Sequence, residues 1–332
     1  MNQTLVIGGT GAMGSTVVRH LLQASDGAVS VLTRNPQSEQ AVELTTHGGG
    51  RVRMVQGDVN DPGSLSKAMA DVARVFCNTD FFSTRSAVGE YRQGLAALEA
   101  ARGADVEKFV WSSLDSAVTL THGRLPVPHY DGKAAVAAHI NLQRSEEMMQ
   151  QEVDGWYSEH VSVLTTAPYM ENFQLRLAPQ PGRLPDGRDG LTFVLPLGDG
   201  RYPLISLEDI AWFAVHMFEN WQAWGARDLS IVADSLTGEE IAAAFERVTG
   251  TPTAYAPLPL EVLRASVPDV GHDFAAMFQL FQERDVLGQD RDTELLHKIH
   301  PGLLTFEDWL RTTGWDGTEQ QVQKFPVRLP EH

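Results

Sequence analysis

Cysteine is almost missing from this sequence: Cys77 is the single thiol in 332 residues. That excludes an internal disulfide framework and any cysteine-rich metal site. Cys77 lies in the apolar run Val75-Phe76-Cys77 with no electropositive neighbour, so it reads as a buried strand residue rather than a nucleophile. Positive charge is also scarce. Lys and Arg number 26 against 43 Asp and Glu, a net charge of −17. Such a surface repels phosphate backbones and anionic lipid, so neither nucleic acid nor membrane is an expected partner. A small anionic ligand held by local basic groups remains compatible with it. No run approaches the ~18 apolar residues of a membrane span, and no basic segment leads into an apolar stretch at the start. The expectation is a soluble, cytoplasmic protein. Gly-x-Ser-x-Gly and His-Glu-x-x-His are absent, and Gly48-Gly49-Gly50 has no Lys-Ser or Lys-Thr after it, so hydrolase, zinc and P-loop readings lack their residues. No metal site is expected.

The composition, 42% hydrophobic and 21% charged, is that of an ordinary globular protein, which excludes a wholly disordered chain. Short apolar runs alternate with helical patterns through the first half. Leu5-Val6-Ile7, Val29–Leu32, Val52–Val55, Val75–Cys77, Phe109–Trp111 and Val161–Leu164 read as strands. Helices are predicted between them, one over Ser86–Ala101 and another over about Lys133–Gln151. Strand–helix alternation with short connections means parallel strands and right-handed crossovers, a doubly wound Rossmann-like α/β sheet. Residues 1–167 form this domain, and a segment within 203–234 is expected to return to it through a strand at Leu229–Val232. Residues 168–332 are read as a smaller mixed, mainly helical C-terminal lobe that serves a substrate or a partner. In it, Gly198-Asp199-Gly200 marks a tight turn between strands Phe193–Leu197 and Tyr202–Ile205, and Thr237 to Glu240 fits a helix capping box. Phe274, Met277, Phe278 and Phe281 recur at helical spacing and read first as core.

The segment Gly8-Gly9-Thr10-Gly11-Ala12-Met13-Gly14 follows the first strand and opens the first helix. Glycines at 8, 11 and 14 suit a sharp turn whose backbone approaches a pyrophosphate, with the amides and positive end of the helix behind it. An NAD enzyme commonly carries an acid at the end of the second strand, for the ribose 2′-hydroxyl. Here Thr33-Arg34-Asn35-Pro36 places Arg34 there, and a guanidinium pairs with a 2′-phosphate, which favours NADP(H) over NAD(H). Asp58, in Gly57-Asp58-Val59, suits either the adenine amino group or a turn. Asn78 and Thr79 end the fourth strand beside the same crevice. Ser112 and Ser113 end the fifth and suit either a carbonyl or strand-end amides.

These segments, with Phe109-Val110-Trp111-Ser112-Ser113, Pro128-His129-Tyr130-Asp131-Gly132-Lys133, Tyr169-Met170-Glu171-Asn172-Phe173 and Leu303-Leu304-Thr305-Phe306-Glu307-Asp308-Trp309, resemble the NmrA-like group of atypical short-chain dehydrogenases across nearly the whole chain. The resemblance implies NADP(H) binding by the glycine turn and Arg34, with Lys133, Tyr169 and Asn172 near the nicotinamide ribose and ring. It also implies one of two activities: reduction of small molecules such as quinones and dyes, or redox sensing through a regulatory protein partner. Ordinary short-chain dehydrogenases use Tyr-x-x-x-Lys, and this chain has His129-x-x-x-Lys133. His129, Lys133 and Tyr169 are therefore the catalytic candidates. Pro126, Pro128 and Asp131-Gly132 argue against a helix at His129, so Asp131 reads as an N-cap with Lys133 in the first turn and His129 before it. The expectation is an NADPH-dependent reductase of a small carbonyl, quinone or imine-like substrate, with a non-catalytic NADP(H) sensor as the alternative.

Overall fold

The computed structural model describes residues 3–151, 155–283, 285 and 291–320. Among these, twelve strands follow in chain order: β1 (Thr4–Ile7), β2 (Val29–Thr33), β3 (Val52–Gln56), β4 (Arg74–Cys77), β5 (Lys108–Ser113), β6 (Val161–Thr165), β7 (Gln180–Arg183), β8 (Asp189–Leu195), β9 (Tyr202–Leu204), β10 (Asp228–Ser230), β11 (Asp234–Leu236) and β12 (Thr253–Pro257). The chain divides into two compact units. Met1–Ser116, Pro128–Thr166 and Leu207–Ser230 make the first; Ala117–Val127, Ala167–Ser206 and Ile231–His332 make the second.

The first unit is built on a seven-stranded sheet in the order β10-β6-β5-β4-β1-β2-β3, every neighbour parallel. Strands β1, β2 and β4 are buried along their whole length because helices cover both faces. Alternate residues serve each face. Ile7, Cys77 and Trp111 join one core with Leu65, Leu98 and Val136, from the helices Pro62–Met69, Ala87–Gly103 and Pro128–Gln150. On the other side the first helix, Ala12–Ala24, packs against Leu207–Glu219. Glu208 of the latter takes Arg19 at 2.6 Å and His20 at 2.7 Å, and those hydrogen bonds, that from His20 first, hold its carboxyl down at about 2. At the sheet edge β10 lies beside β6. In register, Ile7 lies opposite Leu32 and Cys77, and Cys77 opposite Trp111. The residues that follow, Gly8, Thr33, Asn78 and Ser112, therefore emerge along one edge.

One helix starts earlier than the sequence suggests. It runs from Pro128 to Gln150, so Asp131 is a first-turn residue rather than the N-cap, and His129 lies within the helix. Proline is tolerated at a first helical position, where its missing N–H has no intrahelical partner to lose. Gly132 is kept by packing: an added Cβ would lie 3.1 Å from Ala87 Cα and 3.2 Å from Glu90 Oε2.

The second unit holds a three-stranded sheet, β12-β8-β7, and a separate β9–β11 pair. The Gly198 turn thus does not close a hairpin. It passes the chain from β8, paired with β7 and β12, to β9, paired with β11. Gly200 is needed there because a Cβ would come 2.3 Å from the Phe281 carbonyl oxygen. Met277, Phe278 and Phe281 are buried, as the core reading expects, while Phe274 is half-buried beneath Arg176. Two sequence segments far apart meet here. Trp309 Nε1 donates to Glu171 at 3.1 Å, and the Phe173 and Phe306 rings lie 5.2 Å apart. The capping box forms, with the Thr237 hydroxyl accepting from Glu240 N at 3.2 Å and the Glu240 carboxylate accepting from Thr237 N at 2.9 Å. Thr237→Ala is expected to cost about 1 kcal/mol of unfolding free energy in urea titrations with an unchanged m-value.

Candidate functional site

In a doubly wound sheet ligands sit where the strand order reverses, outside the carboxyl ends of the strands. Here that point lies between β1 and β4. Gly8 leaves β1 with φ +79, in the left-handed region, and a Cβ on it would meet the Asn78 carbonyl oxygen at 2.2 Å. A Cβ on Gly14 would lie 2.2 Å from the Gly8 carbonyl oxygen and 2.7 Å from Gly9 Cα. Both glycines are thus demanded by backbone meeting backbone. Gly11 is different. It is the N-cap of the first helix in ordinary extended conformation, φ −84 and ψ 170, and a Cβ there would meet only the Gly8 oxygen, at 3.3 Å. The chain leaves open space in front of Gly11. The helix behind it has no side-chain cap and no acid in its first turn. Its leading amides and its positive end are therefore available to an anion. Thr10 is half-buried and Ala12 exposed beside this opening, while Met13 is buried, its sulfur 3.3 Å from the Ser112 hydroxyl.

Arg34 directly follows β2, exposed and without an ion pair among the described residues. The turn carrying it is fastened by side chains, the Thr33 hydroxyl accepting from Asn35 N and Asn35 Oδ1 accepting from Gln37 N. Asp58 shows the turn role of its two readings: Oδ1 accepts from the backbone N and side-chain Nδ2 of Asn60, both at 2.8 Å. The cap of the next helix is Asp61.

Lys133 is 8% exposed, and its ammonium sits at the end of β4. Nζ lies 2.9 Å from the Thr79 carbonyl oxygen, 3.0 Å from Asn78 Oδ1, 3.2 Å from the Thr79 hydroxyl and 3.1 Å from Glu90 Oε1. The structure thus brings together three candidates, Asn78, Thr79 and Lys133, and adds Glu90, which sequence reasoning missed. Glu90 is fully buried and accepts from the Thr79 hydroxyl at 2.7 Å. A signal was there: Glu90 shares an i, i+4, i+7, i+8 stripe with Gly94, Ala97 and Leu98, otherwise small or apolar. His129, four residues before Lys133 on the same helix, packs among aromatic rings, with centroids 5.9 Å from Phe81, 5.8 Å from Phe82 and 4.8 Å from Tyr130. Burial pushes the Cys77 thiol up to about 12, so it is no nucleophile near neutral pH. Ser112 and Ser113 are buried, and the Ser113 hydroxyl is turned to the Leu114 carbonyl.

Tyr169 and Asn172 belong to the second unit. Tyr169 precedes the 3₁₀ turn Met170–Gln174 and bridges to Ile205. Asn172 hydrogen-bonds the buried Tyr202 phenol, whose pKa burial raises and that bond lowers.

The profile of the NmrA-like family matches residues 1–310. An NmrA-like family domain-containing oxidoreductase of Aspergillus hancockii is 31% identical over 263 residues, which cover 76% of this chain and 74% of that protein. Among solved structures, NmrA, a negative transcriptional regulator, in complex with NADP superposes with a TM-score of 0.71 at 18% identity, over 95% of this chain and 98% of that one. The NADPH-dependent quinone oxidoreductase QOR2 of Escherichia coli, complexed with NADPH, superposes with a TM-score of 0.69 at 19% identity, over 94% and 99%. These two likenesses concern the fold.

The contrast between the glycines is testable without any ligand. Gly14→Ala is expected to cost more than about 2 kcal/mol of stability through backbone overpacking, and Gly11→Ala less than about 1 kcal/mol. Equal losses in urea unfolding would contradict the placement of the turn.

Proposed function

The chain belongs to the NmrA-like family, and from that premise we propose that it is an NADPH-dependent reductase of a small carbonyl, quinone or imine-like substrate. The observation that carries this reading is the uncapped first helix behind Gly11, opening at the reversal point of the sheet. A pyrophosphate suits that opening on charge and on donors. Gly8 to Gly14 would hold it. Arg34, exposed at the end of β2, would pair with the 2′-phosphate. Asp58 has one oxygen committed to Asn60, which leaves the other for the adenine amino group. Asn78, Thr79 and Lys133 would face the nicotinamide ribose.

Bound NADPH supplies a hydride to the acceptor carbon. The work left to the chain is to hold the dinucleotide, exclude water and deliver a proton. His129 occupies the place of the short-chain dehydrogenase tyrosine relative to Lys133, one helical turn earlier, and is assigned here as proton donor. The rings of Phe81, Phe82 and Tyr130 orient its imidazole. Tyr169 and Asn172 come from the other unit, and the reading does not depend on them.

One observation favours the second reading, a dinucleotide sensor that acts through a protein partner. The Lys133 ammonium is already surrounded by four acceptors within its own unit, an arrangement suited to holding rather than to proton transfer. A screen of quinones, aldehydes and ketones with NADPH separates the two. Oxidation of NADPH that depends on the acceptor supports the reductase; saturable binding with no oxidation across the screen supports the sensor.

The 2′-phosphate assignment predicts that Arg34→Ala weakens NADPH by roughly tenfold to 150-fold and changes NADH affinity little. Titration by nicotinamide fluorescence checks it, and equal losses for both dinucleotides would remove Arg34 from the phosphate.

A further inference from the structure

We propose that Glu90 is the positioning residue of the site: it fixes the direction of the Lys133 ammonium without touching the dinucleotide. The inference rests on the dinucleotide reading above. A fully buried carboxylate is costly unless it is paired and hydrogen-bonded. Glu90 stands at 0% exposure on a helix face whose other buried positions, Gln93, Gly94, Ala97, Leu98 and Ala101, carry no charge, and the cation beside it is Lys133, at 3.1 Å. Its Oε2 has no hydrogen-bond partner among the described residues. Stability alone would favour an apolar side chain on that stripe, so the acid is accounted for by what it does to its neighbours.

Two neighbours respond to it. The Thr79 hydroxyl donates to Glu90 at 2.7 Å, which turns its lone pairs toward Lys133 Nζ at 3.2 Å. The ammonium is drawn in the same direction by the charge itself. Its three protons are shared among four acceptors, the Thr79 carbonyl, Asn78 Oδ1, the Thr79 hydroxyl and Glu90 Oε1, so a ribose hydroxyl would replace one of the neutral acceptors while the charge of Glu90 keeps the ammonium in place. Without the carboxylate, the ammonium keeps only neutral acceptors and the Trp111 ring, 5.5 Å away, and its four-carbon stem is free to leave the strand end. The approach of the two helices serves the same pairing. Gly132, the residue before Lys133, is where a side chain would press to 3.2 Å from Glu90 Oε2.

The test is a double-mutant cycle on NADPH affinity, with circular dichroism confirming the fold. Lys133→Ala and Glu90→Gln are each expected to weaken NADPH by about tenfold or more. Added to Lys133→Ala, Glu90→Gln is expected to change the affinity by less than about twofold, because its effect is transmitted through the lysine. Glu90→Asp, which keeps the charge, should recover most of the loss; if Glu90→Gln does not fold, Glu90→Leu, which also removes the carboxylate, takes its place in the cycle. Wild-type affinity in Glu90→Gln, or multiplying losses in the double variant, overturns the proposal while leaving the dinucleotide reading intact. Wild-type affinity in Lys133→Ala is the distinct failure of the reading at this site, and the role of Glu90 falls with it.

Discussion

The dipeptide Asn78-Thr79 at the end of β4 joins the glycine turn of the candidate site to its buried lysine. The Asn78 amide donates to the Ile7 carbonyl at 3.1 Å and so ties β4 to the last residue of β1. Its carbonyl oxygen occupies the space a Cβ on Gly8 would need, so the glycine turn can close only where that side chain is absent. Its side chain and both oxygens of Thr79 receive Lys133. The turn proposed to hold a pyrophosphate and the lysine proposed to hold a ribose are therefore fastened to the same two residues. A shift of this strand end by a fraction of an ångström would move both.

Around that joint several locally costly features gather. The first helix begins on a glycine without a side-chain cap, whereas Ser38, Asp61 and Ser86 cap later helices with their side chains. The helix Ala87–Gly103 carries buried Glu90 and Gln93 on its inner face, and Lys133 is buried opposite. They sit on the apolar core that holds Ile7, Cys77 and Trp111. Departures of this kind gather where a protein binds or reacts, because there the local cost is offset by function. That they coincide with the reversal point of the sheet is the physical content of the functional reading.

What was legible in the sequence follows from how local each signal is. Apart from half-exposed β3 at the edge, the leading strands show as apolar runs because both faces of the sheet are covered, and the glycine turn shows because the close contacts at Gly8 and Gly14 accept no side chain. Arg34 is legible by position, one residue past β2. The start of the helix at Pro128 was not, because a proline and an Asp-Gly pair weigh against helix in any local reading. Gly132 is explained by Ala87 and Glu90 of the neighbouring helix. Glu90 leaves one local trace, its place on the stripe with Gly94, Ala97 and Leu98, but its pairing shows only when Lys133, 43 positions on in the sequence, is seen to face it. The same holds for β8 and β9: the tight turn between them is legible, whereas their pairing partners lie elsewhere in the chain.

The central claim is that this site is shaped for a dinucleotide with a 2′-phosphate. Titration of the wild-type protein with NADPH and with NADH tests it most directly. The account predicts saturable binding of NADPH, with NADH at least about tenfold weaker. Failure to bind either dinucleotide, or equal affinity for both, would contradict it.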